Sequence, residues 1–265
     1  MVRGVTIFER LAQAIHAEMP VALVTRMDDH AIGAKLLVFE DESIGDLGSA
    51  GLTQAATQEA LAALFAGEPV LRSFGPEGEP IGIEAHIFIQ PFTPAPDMYI
   101  FGAVDFSRSM ARLGKYLGFR VTVVDARPAF ATRTRIPDAD DVVVAWPDQF
   151  LVHARVTPRT AIIILTHDPK FDIPILQVAL RTSAGYIGAM GSRRTHGERV
   201  SQLKELGVSD VDLARICAPV GLDIGARTPQ ETAVSIAAEI VALRSGRTGG
   251  RLVNSTRSIH ASQPA

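Results

Sequence analysis

Residues 98–125 of the chain read MYIFGAVDFSRSMARLGKYLGFRVTVVD. The apolar run Met98–Phe101 is too short for a helix and ends at Gly102, which favours a buried strand. Apolar residues then recur at helical spacing over Ser107–Leu117, and Phe119–Val124 is a second apolar, β-branched run. Strand, glycine turn, helix and strand in this order are typical of the opening of a dinucleotide-binding fold.

The ligand is less clearly indicated than the fold. Asp125 follows Gly102 by 23 positions, where an acidic residue often holds a ribose hydroxyl. The glycine fingerprint of such sites aligns with Gly102, Val104 and Ser107, so only its first glycine is kept. We expect Val104 to crowd a pyrophosphate at this turn and Asp105 to repel it.

The composition indicates a soluble globular protein, which we place in the cytoplasm. Of the 265 residues, 47% are hydrophobic and 21% are charged, unlike a disordered chain. A net charge of −3 offers no basic surface for nucleic acid, and no apolar run approaches the ~18 residues of a membrane span. The single cysteine, Cys217, excludes an internal disulfide and fits a reducing compartment. Residues 1–20 predict an amphipathic helix rather than a signal peptide.

The N-terminal part of the chain predicts a small α/β domain. After the first helix we predict strands at Pro20–Arg26, Lys35–Phe39, Val70–Phe74 and Ala85–Ile89, a glycine-rich turn at Gly45–Gly51 and a helix at Thr53–Ala66. Pro91, Pro94 and Pro96 then fall within six residues, and prolines this dense predict a stiff linker. We therefore divide the chain into a domain at 1–93, a linker at 94–97, a second domain at 98–246 and a disordered tail at 247–265.

The second domain continues the alternation of strands and helices. Further strands are predicted at Asp141–Ala145, Thr160–Leu165 and Gly185–Ile187, and helices at Phe171–Leu180, at Arg193–Leu206 and from Pro229 to about Ser245. Such alternation favours a parallel sheet with helices on both faces. The predicted fold class is α/β, with a smaller N-terminal α/β domain before a Rossmann-like, doubly wound parallel sheet.

A first candidate site follows the most apolar strand. Thr166, His167 and Asp168 come directly after Thr160–Leu165, and ligands of open parallel sheets bind at the carboxyl ends of strands. Asp172 could share the same edge. The alternative is an ordinary turn in which Asp168 starts a helix.

A second candidate is the start of the following helix. Gly191, Ser192, Arg193 and Arg194 combine a free backbone, a helix cap and two fixed positive charges, which together suit a phosphate. The alternative is a solvated helix start, although two arginines at the positive end of a helix dipole are locally unfavourable.

A third candidate is the loop of residues 217–229. Asp223 and Arg227 are its charged residues, and Gly221 and Gly225 suggest a constrained backbone. The alternative is a loop that only docks the last helix. Cys217 lacks a Cys/His signature and is expected to be an inert thiol. No motif for a metal hydrolase, a P-loop or a serine hydrolase is present, and we assign no metal ligand or catalytic residue.

Several segments resemble the XdhC/CoxI family. The matching text is YIFGAVDFSRSMARLGKYLGFRVTVVDARPAFA, LTHDPKFDIPILQVAL, YIGAMGSRR and APVGLDIGARTPQETAVSIAAEIVALRSG, in this order within residues 98–246. PVALVTR, GAKLLVF and the turn at Gly45–Gly51 resemble the smaller domain of the family more faintly. The resemblance implies a Rossmann domain tethered to a domain that handles the molybdenum cofactor.

The resemblance also implies a function. Such proteins are maturation factors for xanthine dehydrogenase and aerobic carbon monoxide dehydrogenase: they bind the molybdopterin-type cofactor, help its sulfuration and hand it to the apo-enzyme. The implied partners are a molybdenum hydroxylase apo-enzyme and a sulfurase, and a homodimer stays open. From the three candidate segments and the turn after the first strand, we predict the cofactor-binding residues Gly102, Asp125, Thr166, His167, Asp168, Gly191, Ser192, Arg193, Arg194, Asp223 and Arg227.

The chain departs from the family pattern at four places. Gly51 occupies the cysteine position of a GGGC-type turn, and Ile81 occupies that of a second cysteine. A Gly-Ser-x-Pro-Arg-like segment is shortened to residues 28–31, and a frequent G-A-G-H turn reads GAVD at residues 102–105. These departures leave three hypotheses: a maturation factor that is not itself an enzyme, a degenerate Rossmann interaction protein without a ligand, and an NAD(P)-dependent oxidoreductase.

Overall fold

The structure is a computed structural model and describes residues 6–256. The chain forms two compact units, Met1–Pro94 and Ala95–Ala265. Within the described residues, no helix is both long and apolar enough to cross a membrane.

The N-terminal unit is an antiparallel sheet covered by a helix on each face. Its elements are α1 (Ile7–His16), β1 (Val21–Arg26), β2 (Lys35–Val38), β3 (Ser43–Gly45), α2 (Ala50–Ala66), β4 (Val70–Phe74) and β5 (Ala85–Phe92). The strand order is β3-β2-β1-β5-β4, and every pair is antiparallel. The apolar face of α2 packs on one side of this sheet, while Leu11 and Ala14 of α1 pack on the other.

The predicted turn at Gly45–Gly51 is too long. Residues 43–45 form β3, and α2 begins at Ala50, three residues before the predicted start. Ser49 is the N-cap, and its hydroxyl accepts a hydrogen bond from the Leu52 N–H. The helix therefore begins at Ala50 although the nearby glycines favour a turn, because the Ser49 side chain satisfies a donor of the first helical turn.

The proline-rich segment also differs from the prediction. Pro91 does not lie outside the sheet: β5 continues to Phe92, and Pro91 pairs with Ala22 of β1. The pairing of β5 with β4 ends at Ile89, so Pro91 faces a neighbour on one side only, where a missing N–H is tolerated. At the other end, Asp97 belongs to the next strand rather than to a linker.

Gly51 in the first turn of α2 lies against another segment of the same unit. A Cβ atom at this position would clash with the main-chain carbonyl oxygen of Glu77. The Ser49 hydroxyl also donates to the Pro76 carbonyl at 3.3 Å, so residues 75–79 are docked on the helix start. Space for a side chain at Gly51, including the cysteine of the family pattern, is therefore taken by main chain.

The C-terminal unit contains the parallel sheet. Its elements are β6 (Asp97–Phe101), α3 (Asp105–Tyr116), β7 (Arg120–Asp125), β8 (Asp141–Val144), α4 (Pro147–His153), β9 (Ala161–Ile164), α5 (Pro169–Leu180), β10 (Tyr186–Ala189), α6 (Arg193–Glu205), α7 (Asp210–Leu213), β11 (Ile216–Cys217) and α8 (Pro229–Arg244). The strand order is β11-β10-β9-β6-β7-β8, and every pair is parallel. Counted within the unit, this is the 3-2-1-4-5-6 order of dinucleotide-binding domains.

Helices cover both faces of this sheet, so the predicted fold class is confirmed. Met98 and Ile100 of β6 point to the face covered by α3 and α8, while Tyr99 and Phe101 point to the face covered by α4, α5 and α6. The strand β9 is buried along its whole length, as its continuous apolar run predicted.

The predicted start of the last helix is confirmed. Pro229 is the first residue of α8, and Thr228 and Glu231 form a reciprocal capping box. The short elements α4, α7 and β11 were not predicted, because runs of two to seven residues carry little periodicity.

The segment after α8 differs from the predicted disorder where the structure describes it. The Arg247 N–H donates to the Ala242 carbonyl at 2.7 Å, and Leu252–Asn254 form a 3₁₀ helix. The last carbonyls of α8 need donors, and the chain after the helix supplies them. Residues 257–265, the rest of the predicted tail, lie outside the described residues.

The contact at Gly51 predicts opposite effects for the same substitution at two helical glycines. Gly51→Ala should lower the free energy of unfolding by about 1–3 kcal/mol, because the Glu77 carbonyl must move. Gly197→Ala in α6, where the added Cβ meets no atom of the described residues within 4 Å apart from its chain neighbours and the backbone of its own helix, should raise it by about 0.5–1 kcal/mol. Urea unfolding followed by far-ultraviolet circular dichroism checks both variants, and a Gly51→Ala protein as stable as the parent would contradict the contact.

Candidate functional site

The register of the parallel strands brings several predicted site residues to one edge of the sheet. Phe101 pairs with Val124 on one side and with Ile164 on the other, and Ile164 pairs in turn with Ala189. The residues that follow these strand ends therefore emerge side by side at the carboxyl edge. The direction of winding changes between β6 and β9, which is where ligands of such sheets bind.

A cavity of about 300 Å³ lies at this point. Its lining includes five of the predicted residues, namely Gly102, Asp125, Thr166, His167 and Asp168. The remaining lining residues are Val104, Ala126, Arg127, Pro147, Leu165 and Phe171. The first candidate segment and the turn after β6 thus border one space.

The turn after β6 uses its own main-chain donors. The N–H of Gly102 donates to the Val124 carbonyl at 2.8 Å, and the N–H of Ala103 donates to Asp125 Oδ2 at 2.7 Å. The N–H of Val104 donates to Ser107 Oγ at 3.3 Å. A pyrophosphate would need these donors. The arrangement therefore argues against the NAD(P) hypothesis.

Gly102 is required at this turn by its conformation and by its surroundings. Its φ is +100°, and a Cβ there would come within 2.8 Å of Thr166 Cγ2. A side chain would both strain the backbone and displace the end of the neighbouring strand. Gly102 therefore serves the close approach of two strand ends.

Asp125 does not present a free carboxylate at the position expected for ribose binding. It is 4% exposed and accepts hydrogen bonds from Ala103 N, Arg127 N and both Arg127 Nε and Nη2. Burial raises the pKa of this carboxyl, but the hydrogen bonds from Arg127 and Ala103 outweigh it and hold the pKa below its usual range. The Asp125 carboxylate thus stabilises the turn after β6 and is not free to bind a ribose.

A buried ion pair joins the ends of β9 and β10. Asp172 of α5 contacts Arg199 of α6, and the side chains are 1% and 3% exposed. Thr166 donates to the Asp172 carboxylate, and Arg199 Nη1 donates to the Met190 carbonyl at 2.7 Å. Burial raises the pKa of Asp172, and the Thr166 hydroxyl and Arg199 charge oppose that rise. The network fixes Thr166 in the cavity wall relative to the start of α6.

The second predicted segment is the start of α6. It follows β10, the strand that pairs with β9 beside the cavity. Ser192 is the N-cap and accepts from the Thr195 N–H at 3.1 Å. Arg193 and Arg194 are exposed, and Arg194 pairs with Glu198 at 3.1 Å. Behind Gly191, the buried Arg199 guanidinium keeps one donor, Nε, without a hydrogen-bond partner in the described part of the chain. Three arginines thus lie in or behind the first turn of this helix, and two of them, Arg194 and Arg199, are paired with carboxylates.

The third predicted segment stands apart from the cavity. Asp223 and Arg227 are exposed and do not line it. Glu239 of α8 anchors the base of their loop, since its carboxylate accepts from the Gly221 N–H at 2.9 Å and from the Tyr186 hydroxyl at 2.6 Å. The structure therefore does not bring Asp223 and Arg227 together with the other predicted residues.

The lone cysteine is half-buried beside this loop. Burial, aided by the charge of Glu239, raises the pKa of Cys217 to about 11. The thiol is therefore protonated near neutral pH, which agrees with the expected inert role.

Comparison with known proteins decides the family. Residues 98–240 match the family described as the XdhC Rossmann domain. The chain belongs to this family. The matched residues span β6 to α8, so they include the whole edge that carries the cavity and the start of α6.

Two curated relatives of this XdhC-family chain have names that refer to xanthine dehydrogenase or to the molybdenum cofactor. A probable xanthine dehydrogenase subunit of Bacillus subtilis (strain 168) is 35% identical over 159 residues, which cover 60% of this chain and 46% of the relative. The molybdenum cofactor insertion chaperone PaoD of Escherichia coli (strain K12) is 31% identical over 153 residues, which cover 58% and 42% of the two chains. This chain thus spans about half the length of the curated relatives that it matches.

A solved structure is similar over nearly the whole chain. The crystal structure of a xanthine dehydrogenase from Bacillus halodurans superposes with a TM-score of 0.51 at 20% identity, covering 93% of this chain and 97% of the other. At this identity the similarity shows the fold alone.

Three residues at this edge of the sheet were not predicted as site residues from the sequence. Arg127 follows Asp125 and neutralises it, Arg199 pairs with Asp172, and Phe171 lines the cavity. Arg199 did carry a usable signal. It precedes the buried Leu203 by one helical turn, so a charge stands on the core-facing side of α6, where it needs a buried partner.

The buried pair predicts strong coupling between two substitutions. Asp172→Asn and Arg199→Met should each lower the free energy of unfolding by about 3–5 kcal/mol, because each leaves one buried charge alone. The double variant should lose less than the sum. Urea unfolding monitored by the single tryptophan, Trp146, reports on this unit. Arg194→Met, at an exposed pair, is the control and should change the value by less than about 0.5 kcal/mol; strictly additive losses would contradict the coupling.

The lowered pKa of Asp125 predicts a pH-dependent contribution to stability. A carboxyl whose pKa is lowered by folding stabilises the protein above its unfolded pKa of about 4 and loses that effect as the pH falls. Asp125→Asn should therefore be less stable than the parent at pH 6, and the difference should shrink below about pH 4. Urea unfolding between pH 3 and pH 7 measures the difference. A gap independent of pH would mean that the ionised carboxylate is not the stabilising form.

Proposed function

We propose that this chain is a maturation factor that binds the molybdenum cofactor and delivers it to a molybdenum hydroxylase, such as xanthine dehydrogenase or aerobic carbon monoxide dehydrogenase. Membership of the XdhC Rossmann domain family and the name of the PaoD relative support this function. The cofactor is cargo in this role rather than a resident group, so the chain needs to hold and release it without a reaction of its own.

The observation that carries the proposal is that the cavity and the start of α6 lie on neighbouring strand ends at the carboxyl edge of the parallel sheet. The cavity at the winding change is bordered by side chains that suit a ring, while the start of α6 suits an anion. The Asp172–Arg199 network links the two at fixed positions. An anionic pterin has a ring at one end and a phosphate at the other.

The phosphate would lie at the first turn of α6. Gly191 leaves the main chain open, the helix dipole favours negative charge, and Arg193 and Arg194 add two side-chain cations. Arginine binds phosphate oxygens through paired N–H groups. The turn after β6 is the less suitable place, because its three donors are already used.

Cofactor binding in this chain would depend little on the N-terminal cysteine positions of the family pattern. Gly51 lies under the Glu77 carbonyl, and Ile81 is 94% exposed. No thiolate is therefore available at either position. Asp223 and Arg227, which were predicted to bind the cofactor, lie on an exposed loop outside the cavity, and we propose instead that they contact a partner.

Co-purification tests the function. The chain, produced in cells that make molybdopterin, should carry pterin that becomes fluorescent after oxidation. Arg193→Ala/Arg194→Ala should lower the bound amount at least roughly fivefold, because the phosphate loses two charge-assisted contacts. Arg181→Ala/Lys204→Ala removes the same charge at the C-terminal ends of α5 and α6 and should leave the amount unchanged.

Two results would count against this function. Absence of pterin from the parent chain, together with capture of a molybdenum hydroxylase apo-enzyme, would favour the degenerate interaction protein instead. Equal losses in the two double variants would show that general positive charge, rather than the start of α6, retains the pterin.

A further inference from the structure

An aromatic pair stands in and behind one wall of the cavity. Phe171 lines the cavity, and the ring of Trp146 lies against it with centroids 5.3 Å apart and planes inclined by 35°. Lys170 Nζ lies 5.1 Å from the Trp146 centroid and 5.9 Å from the Phe171 centroid. Two rings and a cation packed in this way hold Phe171 in place. A preorganised ring in a cavity wall suits a flat ligand.

The cavity also presents one carboxylate that lacks a salt-bridge partner. Asp125 pairs with Arg127 at 2.8 Å, whereas none of the salt bridges among residues 6–256 involves Asp168, whose charge Arg127 meets only at longer range. Asp168 accepts one hydrogen bond, from the Lys170 N–H at 3.0 Å, as the N-cap of α5. A carboxylate has about four acceptor positions, so Asp168 can accept two further N–H groups.

Size and charge restrict what enters. A volume of about 300 Å³ is at the lower end for ligand sites and holds one fused ring system rather than a dinucleotide. The Asp168 charge disfavours a phosphate in the cavity and favours a ring edge with two adjacent N–H donors. Such an edge is the 2-amino-4-oxopyrimidine edge, which pterins and guanine share and which adenine lacks.

We infer that this cavity binds a planar 2-amino-4-oxopyrimidine heterocycle, with Phe171 stacked on the ring and Asp168 accepting from the ring N–H and the exocyclic amine. The inference rests on the proposed function only where it names a pterin as the natural ligand with this hydrogen-bonding edge. In that case the ring occupies the cavity, and the phosphate lies at residues 191–194 of the neighbouring strand end.

The test uses heterocycles without phosphate. Free pterin, guanosine and adenosine are titrated into the full chain by calorimetry, and the emission of Trp146, the only tryptophan, is followed in parallel for the nucleosides. Pterin and guanosine should bind, and adenosine should bind at least roughly tenfold more weakly, because it offers the carboxylate no paired donors. The tighter of the two binders identifies a pterin or a guanine source.

Two variants separate the ring edge from the ring face. Asp168→Asn keeps a good helix cap but loses the charge, and should weaken pterin and guanosine roughly tenfold while leaving adenosine unchanged. Phe171→Leu should weaken all three ligands roughly fivefold or more through lost stacking. Asp148→Asn, in the first turn of α4 and outside the cavity lining, is the control and should change nothing.

Each outcome decides the inference separately from the proposed function. Equal binding of adenosine and guanosine, or full binding by Asp168→Asn, would overturn the role of Asp168. No binding of any heterocycle by a chain that still co-purifies with pterin would overturn the ring site and leave the maturation function standing. Selective binding of free pterin or guanosine by a chain that never co-purifies with cofactor would uphold the ring site and remove the maturation function.

Discussion

The buried contact between Asp172 and Arg199 is the constraint on which the candidate site depends. Two charges in the interior are costly unless each meets its partner and further hydrogen bonds. Here Thr166 and the Met190 carbonyl add hydrogen bonds to the pair, and Arg199 Nε is the one donor of the guanidinium left without a partner among the described residues. Because Thr166 follows β9 and Met190 follows β10, the pair holds two strand ends at fixed separation. The end of β9, which borders the cavity, and the end of β10, which precedes α6, are therefore held side by side.

The same edge shows how a Rossmann sheet can keep its architecture while its usual phosphate turn is closed. Asp125 accepts the Ala103 N–H and is neutralised by Arg127, and Ser107 accepts the Val104 N–H. These bonds stabilise the turn after β6 but occupy the donors that a dinucleotide would use. At the neighbouring strand ends, by contrast, Arg193 and the Asp168 carboxylate take part in none of the salt bridges of the described residues.

Local signals allowed most of the fold to be predicted, and long-range contacts explain the errors. The long helices, the buried strand β9 and the capping box of α8 depend on periodicity and on neighbouring residues. Pro91 was wrongly excluded from a strand because its tolerance depends on where the partner strand β4 ends. The start of α2 was set too late because the Ser49 cap outweighed the glycines around it.

By itself the sequence determined the order of the longer strands and helices, the family and the segments at the carboxyl edge, because these depend on short-range pattern and on the polarity of strand ends. Only the tertiary structure decided which of those segments share a surface. Asp172 and Arg199 are 27 residues apart, and the pairing that places the start of α6 beside the cavity comes from the packing of α5 against α6. It also decided that Asp125 is already satisfied and that Gly51 has no room for a side chain, since both depend on which atoms the folded chain brings together.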